Sequence, residues 1–191
     1  MKNIKIFLAA IASFTFAFSL ASCESTNGKI NDNDTSLQIT DFTKENNNFN
    51  YKVNNDIKTY SFIDKVTVSK TSNWKLYSDI NGKNEIITKT INLKIGDNIN
   101  YILVTAENGD LGFYTVNVRR LDLFTVNFNT NGGSSIQFQK VQEESCVSPV
   151  PNPSKNGYTF SKWDYDFRTP IISDITINAE WIANAYTITF D

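Results

Sequence analysis

The sequence predicts a mainly β chain, a sandwich of short strands followed by a smaller β module, and three observations point there. From about Leu37 onward, short runs rich in Val, Ile, Thr, Tyr and Phe alternate apolar with polar residues, the period of a half-buried strand. Clusters of Asn, Asp and Gly separate these runs and mark turns. No segment from there on sustains helical spacing between caps over about ten residues.

Length and composition set outer bounds. The 191 residues suit one or two small domains. The chain has no histidine, which excludes Ser-His and Cys-His pairs, an imidazole base and histidine metal ligands. Lys and Arg number 18 against 20 Asp and Glu, so no positive field gathers nucleic acid. The expectation is a non-catalytic chain with no metal, no other cofactor and no nucleic-acid partner.

At the start, Lys2 and Lys5 flank the entry to an uncharged, largely apolar run from Ile6 to Ser19. As a helix it would extend about 21 Å, short of a hydrocarbon core of about 30 Å. The run ends in Leu20-Ala21-Ser22-Cys23, which resembles the lipobox of bacterial lipoproteins. That resemblance implies that residues 1–22 are a lipoprotein signal peptide. It also implies that the Cys23 thiol carries diacylglycerol and that the mature protein is lipid-anchored on the extracytoplasmic face of the cell envelope. Each buried CH₂ contributes about 0.8 kcal/mol, so two or three chains anchor durably where one does not. An ordinary secretory signal that leaves a free cysteine is the competing reading.

Residues 23–36 are polar, with a single isoleucine, and read as a flexible tether. The run Asp32-Asn33-Asp34 within them lacks the glycine and glutamate of an EF-hand loop, so no calcium site is expected. Once Cys23 is acylated, Cys146 has no intramolecular partner, and without histidine to make its thiolate it reads as inert.

Residues 37–121 carry the sandwich. Strands are expected around Lys52 and Val53 and over Phe62–Ser69, Trp74–Tyr77, Ile86–Thr88, Ile91–Leu93, Ile99–Ala106 and Tyr114–Arg120, with turns at Asn81-Gly82 and Asn108-Gly109. The last hairpin is the most informative: Ile102, Val104 and Ala106 share one face, and Tyr114, Val116 and Val118 return on one face. Its string, from Gly96-Asp97-Asn98 through Glu107-Asn108-Gly109 to Arg119-Arg120, resembles the C-terminal half of the cadherin-like β-sandwich domain of bacterial surface proteins. Arg119 and Arg120 read as a solvated strand end, with a basic binding patch as the alternative.

Residues 122–181 form the second module. Phe124, Val126 and Phe128 alternate inward, Asn131-Gly132-Gly133 supplies a tight turn, and Pro149, Pro151 and Pro153 interrupt regular structure. Gly157–Trp163, Phe167–Ile171 and a closing strand with Ile175, Ile177, Ala179 and Trp181 inward follow. This succession is similar to the Listeria-Bacteroides repeat, the B-repeat of internalin-type surface proteins, which implies a β-grasp-like module of about four strands used on cell surfaces. The chain departs from that pattern at Lys162, where Gly commonly precedes Trp, at Glu144 or Ser145, where a glycine usually stands, and in a short loop after Trp163. Tyr158, Trp163 and Trp181 could form a sugar-stacking platform. A module of about 60 residues buries only about 60% of its surface, so the two tryptophans are expected in the core. Asp164 and Asp166 are the nearest approach to a carboxylate pair and read as surface residues.

Residues 182–191 then restart the pattern. Tyr186–Asp191 repeats Phe124–Asn129 at a spacing of 62 and reads as the first strand of an incomplete second repeat. Together these features lead us to expect a surface lipoprotein that displays β modules for adhesion, with a host or cell-wall protein or glycan as partner. The alternative is the anchor and stalk of a larger surface enzyme such as a glycan hydrolase.

Overall fold

The computed structural model describes residues 34–188. The expected signal peptide, the lipobox-like residues Leu20, Ala21, Ser22 and Cys23, the expected tether as far as residue 33, and residues 189–191 lie outside the described residues.

Every regular element among the described residues is a strand. In chain order these are β1 (Gln38–Ile39), β2 (Thr43–Glu45), β3 (Asn48–Val53), β4 (Thr59–Ser61), β5 (Val66–Thr67), β6 (Asn73–Tyr77) and β7 (Thr90–Asn92). They continue with β8 (Ile99–Thr105), β9 (Leu111–Arg120), β10 (Leu123–Asn129), β11 (Gln139–Gln142), β12 (Tyr158–Trp163) and β13 (Ile175–Ala183). The mainly β class is as expected.

Two compact units form, each from separated stretches of chain. The first holds the residues up to Asn50, Ser61–Ile91 and Ile99–Asn117; the second holds Tyr51–Tyr60, Asn92–Asn98 and the residues from Val118 on. Strand pairing brings together segments far apart in sequence.

A five-stranded sheet runs in the order β2-β3-β9-β8-β6, and β1-β5 and β4-β7 form two-stranded sheets. The β8–β9 hairpin has the expected faces: Ile102, Val104, Val116 and Val118 are fully buried, and Ala106 and Tyr114 nearly so. In its register Ile102 stands opposite Tyr114, and Val104 stands opposite Gly112. A β-carbon on Gly112 would lie 2.8 Å from the Thr35 carbonyl oxygen and Cβ, so the glycine makes room for the incoming chain. The Tyr114 hydroxyl donates to that same carbonyl at 2.8 Å, and the Ser72 hydroxyl donates to the Asp34 carbonyl at 2.7 Å. Residues 34–36, counted with the tether on composition, are thus fastened to the first unit, and Leu37 after them is 1% exposed.

Two expected strands are shorter or absent. Of Phe62–Ser69 only β5 is strand, because the backbone turns at once: Lys65 and Val66 both donate to the Phe62 carbonyl at 3.2 Å. Ile86–Thr88 is a turn that leads into Lys89, whose φ is 51°, and Ile87 at 84% exposure buries nothing that would reward extension.

In the second unit the four-stranded sheet has the order β11-β10-β13-β12, with β10 and β13 parallel in the centre and antiparallel strands on either side. This is the strand order of a β-grasp sheet, and irregular chain occupies the crossover between β11 and β12 where a helix would otherwise run. Prolines at 149, 151 and 153 account for that, since each lacks an N–H and fixes φ. Val126, Val141, Val147, Ile171 and Ile177 form the core, and Phe124, Phe128, Trp163, Tyr165, Phe167 and Ile175 pack against it. After β13, residues 184–188 carry no strand, and Tyr186 and Ile188 are 76% and 75% exposed.

Candidate functional site

Aromatic residues of the second unit are placed by one irregularity in β12. Phe160 pairs with Trp181 and Lys162 with Glu180, so the register shifts and Ser161 is the extra residue of a bulge. Strict alternation would set Phe160 and Trp163 on opposite faces. The bulge restores Trp163 to the face of Phe160, opposite Ala179. There Trp163 meets Phe128 and Phe160 edge-on at centroid distances of 5.5 and 5.4 Å. Its indole N–H is buried with no hydrogen-bond partner among the described residues, so packing alone holds the ring.

Trp181 is fixed differently. Its indole N–H donates to the Thr130 carbonyl at 2.9 Å, and its ring stands edge-on to Phe160 at 5.7 Å. The two glycines of the Asn131-Gly132-Gly133 turn serve separate ends. Gly132 has φ 87°, which an L side chain rarely adopts, whereas Gly133 lets the turn close over the indole: a β-carbon there would lie 2.5 Å from Trp181 Cζ2. Tyr158 stays 42% exposed, with the Lys155 ammonium 4.4 Å above its ring and donating to the Asn131 carbonyl at 2.8 Å. The three residues therefore do not present one open stacking platform. Trp163 joins the core, Trp181 lies under a turn, and Lys155 occupies the face of Tyr158.

The remaining candidates are engaged locally. Asp164 accepts from the Asn178 backbone and side-chain amides at 2.7 and 2.8 Å. Asp166 pairs with Arg168, whose hydrogen bond holds that carboxyl below its ordinary value. The two carboxylates serve different partners and do not converge. Cys146 is exposed, its thiol donating to the Arg168 carbonyl at 3.3 Å. Asp34 caps Ser36 through a 2.7 Å bond from the Ser36 N–H. No group of acidic or sulfur side chains able to hold a metal ion occurs among the described residues.

Arg119 and Arg120 do structural work that their sequence context did not disclose. Arg119 donates to Glu143 at 2.7 Å and to Asp97 at 3.2 Å, and Arg120 donates to the carbonyls of Asn55 and Leu93 at 2.8 and 3.1 Å. The Arg119 hydrogen bond holds the Glu143 carboxyl below its ordinary value, and Glu143 also accepts from the Asp122 N–H at 3.2 Å. Beside it Lys52 donates to both oxygens of Glu144 at 2.6 and 2.8 Å, and the Gln142 carboxamide bridges Asn54 and Asn55. These contacts form one polar seam inside the second unit.

Glu144 explains the glycine that the repeat pattern commonly carries nearby. Its φ is 66°, its N–H donates to the Ile171 carbonyl at 2.8 Å, and the Ile171 N–H donates to the Ser145 carbonyl at 2.9 Å. The backbone there must be left-handed to make that double exchange, and a glutamate takes the conformation.

No helix among the described residues is long and apolar enough to cross a membrane. Residues 124–180 match the Listeria-Bacteroides repeat domain. The chain is 35% identical over 78 residues to the "Putative Gly-rich membrane protein" of Evansella cellulosilytica, covering 36% of this chain and 9% of that one. It is 31% identical over 81 residues to a "Putative membrane protein" of the same organism, covering 37% of this chain and 12% of the relative. The chain thus spans only a small part of the curated relatives it matches. Residues 25–121 match the Cadherin-like beta sandwich domain over about half of the chain, and the chain belongs to that family.

Proposed function

We propose that this protein is a non-catalytic, lipid-anchored surface protein that holds its β modules away from the envelope and binds a host or cell-wall protein or glycan through them. The observation that carries this reading is the arrangement along the chain. A leader ending in Leu20-Ala21-Ser22-Cys23 precedes a cadherin-like sandwich and a Listeria-Bacteroides repeat, both scaffold modules. The polar side chains most suggestive of chemistry, Asp164, Asp166, Arg119 and Glu143, are spent on neighbouring backbone and counter-charges. The names of the two relatives, both membrane proteins, support an envelope location.

The test is a panel of host-matrix proteins and glycans probed with the mature protein, with saturable binding expected for at least one class. Turnover of a glycan or peptide by the purified protein, abolished by a single substitution, would overturn the non-catalytic reading. The second reading, a stalk within a larger surface enzyme, is favoured by the length of the relatives, of which this chain matches 9% and 12%. Genomic sequence downstream of Asp191 separates the two: a catalytic domain in the same frame selects the stalk.

A further inference from the structure

We infer that Asn156 is a site of spontaneous, self-contained chemical modification, converted by attack of the Gly157 backbone nitrogen into aspartate and isoaspartate. The described residues contain four Asn-Gly pairs, at 81–82, 108–109, 131–132 and 156–157. Glycine after asparagine leaves the following nitrogen unhindered by a side chain, so all four share the sequence condition for this reaction.

Their surroundings differ. Gly82 and Gly109 already donate their N–H groups to the carbonyls of Asp79 and Ala106 at 3.2 and 3.0 Å. Asn108 is held at both ends, its oxygen accepting from the Asp110 N–H at 2.9 Å and its nitrogen donating to the Asp110 carboxylate at 2.8 Å. The Asn131 side-chain nitrogen donates to the Ala179 carbonyl at 2.8 Å, and its oxygen accepts from Asn129 at 2.9 Å. Each of these must break a bond before the carboxamide carbon and the glycine nitrogen can meet.

At 156–157 neither group is tied. The Asn156 side chain is exposed, and neither its carboxamide nor the Gly157 N–H makes a hydrogen bond among the described residues. The pair occupies the middle of a four-residue turn closed by the Tyr158 N–H donating to the Lys155 carbonyl at 3.1 Å, with Gly157 at φ 76° as the third residue.

The chemistry balances with water as the only co-reactant. Solvent base removes the Gly157 N–H proton, the nitrogen bonds to the Asn156 side-chain carbonyl carbon, and the C–N bond of the carboxamide breaks to release ammonia, which takes its proton from water. Water then opens the five-membered imide. Opening at the side-chain carbonyl gives aspartate; opening at the backbone carbonyl gives isoaspartate, which adds a methylene to the main chain. Either product sets a carboxylate next to Lys155, whose ammonium spans Tyr158 and the Asn131 carbonyl. Isoaspartate also lengthens the turn that starts β12 and shifts the Gly157 carbonyl, which accepts from the Asn184 N–H at 2.9 Å.

The experiment is incubation of the folded mature protein at neutral to mildly alkaline pH, then peptide mass spectrometry after tryptic digestion, which cuts on either side of the segment from Asn156 to Lys162. The expected result is that the Asn156 peptide gains about one mass unit several-fold faster than peptides carrying Asn81, Asn108 or Asn131. In urea-unfolded protein the four rates should converge, because only the fold separates them. The Asn156→Gln variant should abolish the fast component while its melting curve matches wild type. Equal or faster conversion at any of the other three sites in folded protein overturns the inference, as does a folded-state ranking that persists unchanged in urea.

Discussion

Gly133→Ala tests the account of the second unit most directly. The added β-carbon would sit 2.5 Å from Trp181 Cζ2, 3.0 Å from Cη2 and 3.1 Å from the Ser154 carbonyl oxygen. Carbon atoms in contact prefer about 3.5–4.0 Å, so the ring or the turn must give by about 1 Å. Neither yields easily: the indole is tied to Thr130 and stacked edge-on to Phe160, and the Ser154 carbonyl accepts from the Ser134 N–H at 2.8 Å. Overpacking of this kind costs about 1–3 kcal/mol, and loss of the indole hydrogen bond adds about 1 kcal/mol. The sum, about 2–4 kcal/mol, lowers the melting temperature of a domain this size by roughly 10–25 °C. The assay is urea and thermal unfolding followed by tryptophan fluorescence, with Gly132→Ala as control. That control meets only the end of the Lys155 side chain at 3.6 Å, and its penalty of about 1–2 kcal/mol comes from left-handed backbone alone. A Gly133→Ala protein within about 0.5 kcal/mol of wild type would refute the close-packing role.

Further perturbations probe the other features. Trp181→Ala should cost about 3–5 kcal/mol and move the calorimetric transition of the second unit while leaving that of the first in place; a single shared transition that shifts as a whole contradicts it. Glu144→Gly should leave stability unchanged or raise it by up to about 1 kcal/mol, since relief of the left-handed backbone offsets an exposed ion pair; a loss above about 2 kcal/mol goes against the conformational argument. Because Arg119 holds the Glu143 carboxyl below its ordinary value of 4.5, the stability it supplies is complete above that value and is lost as pH falls through the lower folded value. Urea midpoints measured from about pH 6 downward should therefore fall less steeply for Glu143→Gln than for wild type, and parallel curves would exclude this linkage. Cys23→Ala should release the protein from the membrane fraction or block its processing, and unchanged detergent partitioning would count against lipidation.

The hairpin of β8 and β9 and the inward rows of β10 and β13 were legible because alternation on a half-buried sheet is a local property, written in residues two apart. What escaped is set by partners far along the chain. Nothing near Arg119 announces Glu143, and nothing near Gly112 announces Thr35. The turn at Phe62–Val66 was missed because β-branched residues on both sides of Asp64 outweigh, in a local count, the backbone bonds that reverse the chain. The aromatic question could be posed but not decided from sequence. A one-residue bulge at Ser161 determines on which face Trp163 lies, and a period-two pattern carries no mark of it.

The central pairing of β10 with β13 also governs how the second unit comes into being. The first and last strands of its four-stranded sheet lie side by side, with Val126 opposite Ile175 and Asn129 opposite Asn178, a loop of some fifty residues between partners. A nascent chain can form the β10–β11 hairpin early, but the middle of the sheet stays open until the final strand arrives, and closing so long a loop is slow. Its sheet is complete only once β13 has been made and docked beside β10, so its last strand and not its first sets when it can close.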